Sequence, residues 1–198
     1  MTRQKSICVY CGSKTGKNPV NAATARQLGE ALALRKIRMI YGGGSIGLMG
    51  ITARAAMDAG GHVVGVITEH LEELEVGLTG ISMRHIEATM HARKMRMFEM
   101  SDGFIALPGG SGTLDEIAEI LCWHQIGLHN KPCVLLNNTG YWLPLVSMLR
   151  TMYEEGFLTA AGQDYFHLAD SVDEALDYIE RHSSRSIDAK RVIDARRS

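Results

Sequence analysis

Residues 103 to 116 constrain the fold more tightly than any other stretch of the chain. Phe104 to Leu107 is a short, continuous apolar run of the kind that forms a buried strand. Pro108 ends ladder pairing there, because it has no N–H to donate. Gly109, Gly110 and Gly112 follow at once, so the backbone can turn sharply and come close to a ligand. From Thr113 the spacing becomes helical, with Leu114, Ile117, Ala118, Leu121 and Cys122 predicted on one side. A strand, a glycine turn and a helix start make an anion site, because free N–H groups and the positive dipole end converge. Thr113 and Glu116 also have the spacing of a capping box, in which the two residues cap each other's backbone N–H groups. A cap explains the Thr and the Glu without any function. It does not explain the proline and three glycines before them.

The rest of the chain repeats the same alternation. Strands are predicted at Ser6 to Tyr10, Arg38 to Tyr41, His62 to Thr68, Pro132 to Leu136 and Phe166 to Leu168. Helices are predicted at Ala22 to Arg35, Gly47 to Ala59, Met90 to Ser101, Tyr141 to Glu155 and Val172 to His182, the last capped by Asp170 or Ser171. His70 to Gly80 reads as less regular, and Arg84 to Ala88 as a short excursion strand. Strands alternating with helices predict an α/β fold: a doubly wound, Rossmann-like, mainly parallel sheet covered on both faces. We expect one domain over 1–182 and a polar tail over 183–198.

Composition narrows the function classes. A chain of 198 residues with 45% hydrophobic and 22% charged residues can bury a sizeable core. A formal net charge of −1 offers no field for nucleic acid or for an anionic membrane. No apolar stretch has the length of a signal core or a membrane span, so a cytoplasmic location is expected. Cys8 and Cys11 form a C-x-x-C inside a predicted strand, where residues three apart face opposite sides. Cys122 and Cys133 stand alone, and the histidines show no ligand spacing. Reduced core thiols and no metal site are expected.

A second glycine loop, Gly42 to Gly50, contains G-x-G-x-x-G between a strand and a helix, with Glu69 after the next strand. That is the setting of a dinucleotide fingerprint. Three adjacent glycines and a place after the second strand are unlike it, and no Gly-Lys-Ser/Thr ending suggests a P-loop. In an open α/β sheet, ligands bind beyond the carboxyl ends of the strands. Cys11-Gly12-Ser13, Gly42 to Gly47 and Gly109 to Thr113 all end strands on that edge. Together they predict one pocket suited to a phosphorylated small molecule. Glu116 in the first helical turn is placed to orient water or face developing positive charge. Arg93 and Lys94, on the helix before, suit a phosphate or a leaving group gaining negative charge. With Arg96 they also fit a plain solvated face.

These motifs together resemble the LOG ("lonely guy") family of cytokinin riboside 5′-monophosphate phosphoribohydrolases. Pro108-Gly-Gly-Ser-Gly-Thr-Leu-Asp-Glu116 is similar to its P-G-G-x-G-T-x-x-E motif, and Met90-His-Ala-Arg-Lys94 to its M-H-x-R-K element. Tyr41 to Gly50, Cys11 to Ser13 and Trp123 to His129 look like three further family stretches. The likeness runs from about Ser6 to Phe157. It implies hydrolysis of the N-glycosidic bond of a nucleoside 5′-monophosphate, either AMP or an N6-modified adenine nucleotide. Glu116 would be the catalytic carboxylate and Arg93 its partner. Gly109, Gly110, Ser111, Gly112 and Thr113, with Lys94, Ser13, Gly43, Gly44 and Ser45, would bind the substrate. The resemblance implies no cofactor and at least a homodimer. Family members have often been labelled lysine decarboxylases, but no feature of this sequence would anchor pyridoxal phosphate. A module that binds a nucleotide without turning it over is the other reading.

Overall fold

A computed structural model describes residues 3–75, 77–158 and 165–182. Among these residues, seven strands form one parallel sheet: β1 (Ser6–Tyr10), β2 (Arg38–Tyr41), β3 (Val63–Thr68), β4 (Met83–Glu87), β5 (Gly103–Ala106), β6 (Cys133–Leu136) and β7 (His167–Ala169). Their order is β4-β3-β2-β1-β5-β6-β7. The chain therefore builds outward from β1 to one edge, returns to the centre, and builds to the other edge. Between β1 and β5 the direction of winding reverses, and loops leaving the two strands diverge to opposite faces.

Among the described residues, seven helices cover the sheet: α1 (Pro19–Leu34), α2 (Gly47–Asp58), α3 (Glu69–Glu75), α4 (Met90–Glu99), α5 (Ser111–Gln125), α6 (Leu143–Glu154) and α7 (Val172–His182). Alternate strand residues sort into two cores. Ile7, Val9, Met39, Tyr41, Val63, Ile105 and Leu107 pack with Leu28 and Leu32 of α1, Leu48 and Ala53 of α2 and Leu176 and Ile179 of α7. Cys8, Tyr10, Ile40, Val64, Val66, Phe104 and Ala106 pack with Met97 of α4, Ile117 and Ile120 of α5, and Trp142. Both faces are thus buried, which is why the central strands read as unbroken apolar runs.

Local chemistry sets the helix ends. Asn18 caps α1 by accepting from the Val20 N–H at 3.0 Å, and Pro19 takes the first turn, so the helix opens three residues earlier than expected. Ser171, one of the two expected caps, accepts from the Glu174 N–H at 3.2 Å. The irregular stretch expected after β3 contains α3 instead, and β4 is a full edge strand of the main sheet. The predicted tail, 183–198, lies outside the described residues.

Two details of α5 correct the sequence reading. The helix begins at Ser111 with Gly110 as its cap, so Thr113 is its third residue and no capping box forms with Glu116. Its buried face is Thr113, Ile117, Ile120 and Leu121, while Leu114 and Cys122 are exposed. Cys122 is therefore no core thiol. Cys8, Cys11 and Cys133 are buried and free, with Cys8 and Cys11 in different cores as the strand geometry requires. Burial pushes the Cys133 thiol up to about 12.

Candidate active site

The loops after β1 and β5 are stitched together at the reversal of winding. Leu107 N–H donates to Tyr10 O at 2.9 Å and Gly12 N–H to Pro108 O at 3.1 Å. Gly12 O in turn accepts from the N–H groups of Leu48 and Met49, at 3.0 and 3.4 Å. No side chain caps α2, so the loop after β1 supplies the acceptor for its first turn. Gly47, at φ 60°, lies so close under this loop that a Cβ there would meet the Ser13 carbonyl carbon at 2.2 Å. The amino end of α2 is filled by protein backbone. A pyrophosphate cannot sit there, and the dinucleotide reading of Gly42 to Gly50 fails on this contact.

The amino end of α5 is different. No side chain caps it, Ser111 and Gly112 are exposed, and a Cβ on Gly110 or Gly112 would meet nothing within 4 Å. Its first N–H groups have no acceptor inside the helix and open into a cavity of about 330 Å³. Thr113 is held by Gly109, where a Cβ would stand 2.0 Å from its Oγ1. The cavity is walled by Met49, Leu71 and Met90 on its apolar side and by Ser13, Arg93 and Glu116 on its polar side.

Arg93 and Glu116 meet in this cavity. Thr89 caps α4 by accepting from the Ala92 N–H at 3.1 Å, which fixes the first turn and carries Arg93 inward. Arg93 is only 6% exposed; its Nε donates to Val66 O at 2.9 Å and its Nη1 to Glu116 Oε1 at 3.0 Å. Burial raises the Glu116 carboxyl above the usual range, and the Arg93 guanidinium opposes that rise without cancelling it. A buried carboxylate and guanidinium at a helix N-terminus can hold an anion while facing a cationic centre.

The predicted site residues divide by position. Arg93, Ser111, Gly112, Thr113 and Glu116 line the 330 Å³ cavity, and Ser13 and Gly110 line both it and an adjoining cavity of about 370 Å³. Gly109 lines the second cavity alone. Gly43, Gly44 and Ser45 line neither. Gly43 packs on Ile67 and Ser45 O accepts from Arg54 at 2.9 Å. Lys94 lines neither as well: its Nζ lies 3.0 Å from Asp115 and 3.2 Å from Glu119, tying α4 to α5. Arg96, paired with Glu87 at 2.9 Å, fits the solvated face that the charge pattern also allowed.

Sequence reasoning missed several wall residues. Met90 precedes Arg93 by three positions, and that helical spacing signals a shared face. Lys14, Asn21 and Tyr141 line the adjoining cavity, with Tyr141 Oη donating to Gly109 O. No spacing in the chain announces them. The Trp123 to His129 stretch lies away from both cavities: Trp123 packs edge-on against Phe98, and His129 bonds Ile120 O at 3.0 Å.

No cluster of three or more His, Cys, Asp or Glu among the described residues could hold a metal ion. The family model described as "Possible lysine decarboxylase" matches residues 49–179. A cytokinin riboside 5′-monophosphate phosphoribohydrolase of Rhodococcoides fascians is 47% identical over 158 residues, covering 79% of this chain and 80% of that protein. The Arabidopsis thaliana enzyme LOG4 of the same name is 44% identical over 188 residues, covering 92% and 86%. Among solved structures, a molybdenum cofactor binding protein of Rippkaea orientalis superposes with a TM-score of 0.69 at 23% identity, over 91% of this chain and 98% of that one. The Chlamydomonas reinhardtii carrier of that cofactor superposes equally well, at 21% identity over 92% and 100%. Those two likenesses concern the fold. Ordered motifs, a parallel sheet wound both ways from β1, and relatives at more than 40% identity over most of their length agree: this chain belongs to the LOG family.

Proposed function

We propose that this protein hydrolyses the N-glycosidic bond of nucleoside 5′-monophosphates, releasing free base and ribose 5-phosphate. The Arg93–Glu116 pair beside the open amino end of α5 carries this reading. The 5′-phosphate sits on the N–H groups of Gly110, Ser111, Gly112 and Thr113, with Ser13 opposite. The base lies against Met49, Leu71 and Met90, and the ribose between them, facing Glu116. As the C1′–N bond breaks, its electron pair leaves with the base and the sugar gains oxocarbenium character. Glu116 faces that charge and orients the water; its hydroxyl goes to C1′ and its other proton to the base. Arg93 keeps Glu116 ionised against burial and offers its remaining N–H groups to the substrate.

The decarboxylase description of the family model finds no support in Lys94. Burial alone would lower its amine, but the bonds to Asp115 and Glu119 outweigh that and hold it above the ordinary value, as a cation. A protonated, doubly paired ammonium is a poor Schiff-base former.

The substrate base is an adenine, plain or N6-isoprenylated, and the protein acts in the cytoplasm as a homodimer. No helix among the described residues is long and apolar enough to cross a membrane. None of the described α6 residues is fully buried, and Leu145, Met148, Leu149 and Met152 face Leu114 and Cys122 of α5 across an apolar cleft of about 400 Å³. A second copy covering that face accounts for so much exposed hydrocarbon. Sedimentation of the purified protein at twice the monomer mass is the expected result.

Incubation with AMP and with isopentenyladenosine monophosphate, followed by chromatography, tests the reaction. Free base from both, lost in Glu116→Ala, is expected. No base from these or other nucleoside monophosphates would leave a binding module.

A further inference from the structure

The Arg93 guanidinium is bounded on three sides. Its Nε is anchored to Val66 O at the sheet and its Nη1 to Glu116. The third edge, Nη2, lies against Gly42, the residue that follows β2. A Cβ on Gly42 would stand 2.3 Å from Nη2 and 3.2 Å from the Met49 sulfur. Gly42 is not among the positive-φ residues, so no left-handed backbone strain bars a side chain there. The guanidinium is what excludes a side chain there.

A flexible arginine would simply swing away from an added methyl. Arg93 cannot: it is buried, and any displacement of Nη2 strains the bond to Val66 or the bond to Glu116. Nη2 itself has no protein partner among the described residues, and Arg93 lines the cavity. We propose that Gly42 is a positioning residue for Arg93. Its bare Cα fixes the height of the guanidinium above the sheet, presents Nη2 to the substrate and, through Nη1, holds Glu116 in register. The first glycine of this loop therefore serves the reaction without touching the ligand. The kinetic consequence rests on the function proposed above, whereas the placement of the guanidinium does not.

Two readouts separate the two. The Arg93 Nε–H, bonded to a buried carbonyl, gives a side-chain resonance in a ¹H–¹⁵N spectrum, assigned by its loss in Arg93→Lys. In Gly42→Ala that resonance shifts, and kcat for AMP falls about tenfold to a hundredfold while KM changes less than threefold. In the Arg93→Lys background, where no Nη2 exists, adding Gly42→Ala changes kcat less than twofold. An unmoved resonance with unchanged kcat overturns the proposal. So does an equal loss in both backgrounds, which would make Gly42 a structural glycine only. If the wild type releases no base yet the resonance shifts, the positioning stands and the proposed reaction falls. If Gly42→Ala does not fold, the double variant decides: folded, it confirms the clash with Arg93; unfolded, it refutes it.

Discussion

The two glycine-rich loops of this protein look alike in sequence and have opposite surroundings. Gly42 to Gly50 leaves β2 and enters α2; Pro108 to Thr113 leaves β5 and enters α5. Both helices start without a side-chain cap. At α2 the exposed N–H groups are taken by Gly12 O, and the glycines make room for other parts of the chain: Gly47 for the Ser13–Lys14 backbone, Gly50 for Ser45 O, Gly42 for Arg93. At α5 the corresponding space is open, and Gly110 and Gly112 have no neighbour where a side chain would be. Glycine density marks a close approach to the backbone. What approaches has to be read from the surroundings, and here it is protein at one loop and a cavity at the other.

The widest gap between the loops belongs to Glu116, carried by the open one. Glu116→Ala lowers kcat for AMP by about 10²- to 10⁴-fold, the range for a positioned carboxylate. Product chromatography measures it, and a variant with wild-type kcat takes Glu116 out of the mechanism. Gly47→Ala on the closed loop acts on stability instead. A positive φ and a 2.2 Å approach to the Ser13 backbone cost roughly 2–5 kcal/mol together. The urea midpoint falls accordingly, and any change in KM is the small one expected from a displaced Ser13 backbone.

Gly112→Ala is the sharpest test of the contrast. Its Cβ meets no protein atom, and alanine is the better helix former, so stability holds or rises by up to about 1 kcal/mol. The same methyl enters the space assigned to the phosphate and raises KM roughly tenfold, about 1.4 kcal/mol. Unchanged KM would move the phosphate away from α5.

The pH dependence probes the buried pair. Burial raises Glu116 above the ordinary 4.5, so its ionised form is lost, and activity with it, as pH falls through that raised value. For stability the sign is reversed: the fold favours the neutral acid, so the contribution of Glu116 is present below the ordinary value and lost as pH rises through the raised one. Arg93→Ala removes the cation that opposes the rise and moves the acid limb of kcat/KM to higher pH. A limb at or below that of free glutamate would show that another group titrates.

Most of the fold was legible because the sheet is buried on both faces. Ile7 to Tyr10, Val63 to Thr68 and Phe104 to Ala106 are short apolar runs of the length and kind a buried parallel strand needs, and their ends matched within a residue or so. The element that escaped lies at an exposed edge: α3 is acid-rich with little apolar periodicity, while its neighbour β4, expected as a short strand at Arg84 to Ala88, forms one residue earlier. On α5 the apolar side predicted as core is only partly inward: Ile117 and Leu121 are buried, but Leu114, Ala118 and Cys122 are exposed, because Thr113 and Glu116 take part of the inward face. The T-x-x-E spacing imitated a cap, but α5 starts at Ser111, so Glu116 is its sixth residue and lies beyond the first turn where it was expected. Only the partner, Arg93, separates a site carboxylate from a cap, and no local pattern supplies a partner 23 residues away.

Lys94 shows the same limit at the smallest scale. It adjoins Arg93 in sequence, yet the 100° step of a helix turns it toward α5, where Asp115 and Glu119 flank its ammonium one turn apart. It therefore braces the helix that carries Glu116 and lines neither cavity. Lys94→Met keeps the buried stem, removes the charge and leaves Asp115, which is more than half exposed, to solvent. The expected loss of stability is about 1 kcal/mol or less, read from the denaturation midpoint. KM for AMP stays within about twofold, since no phosphate contact is lost. A large rise in KM that softens with added salt would instead put the ammonium on the substrate. That outcome would extend the open loop's site onto the flank of α4 and narrow the contrast between the two loops.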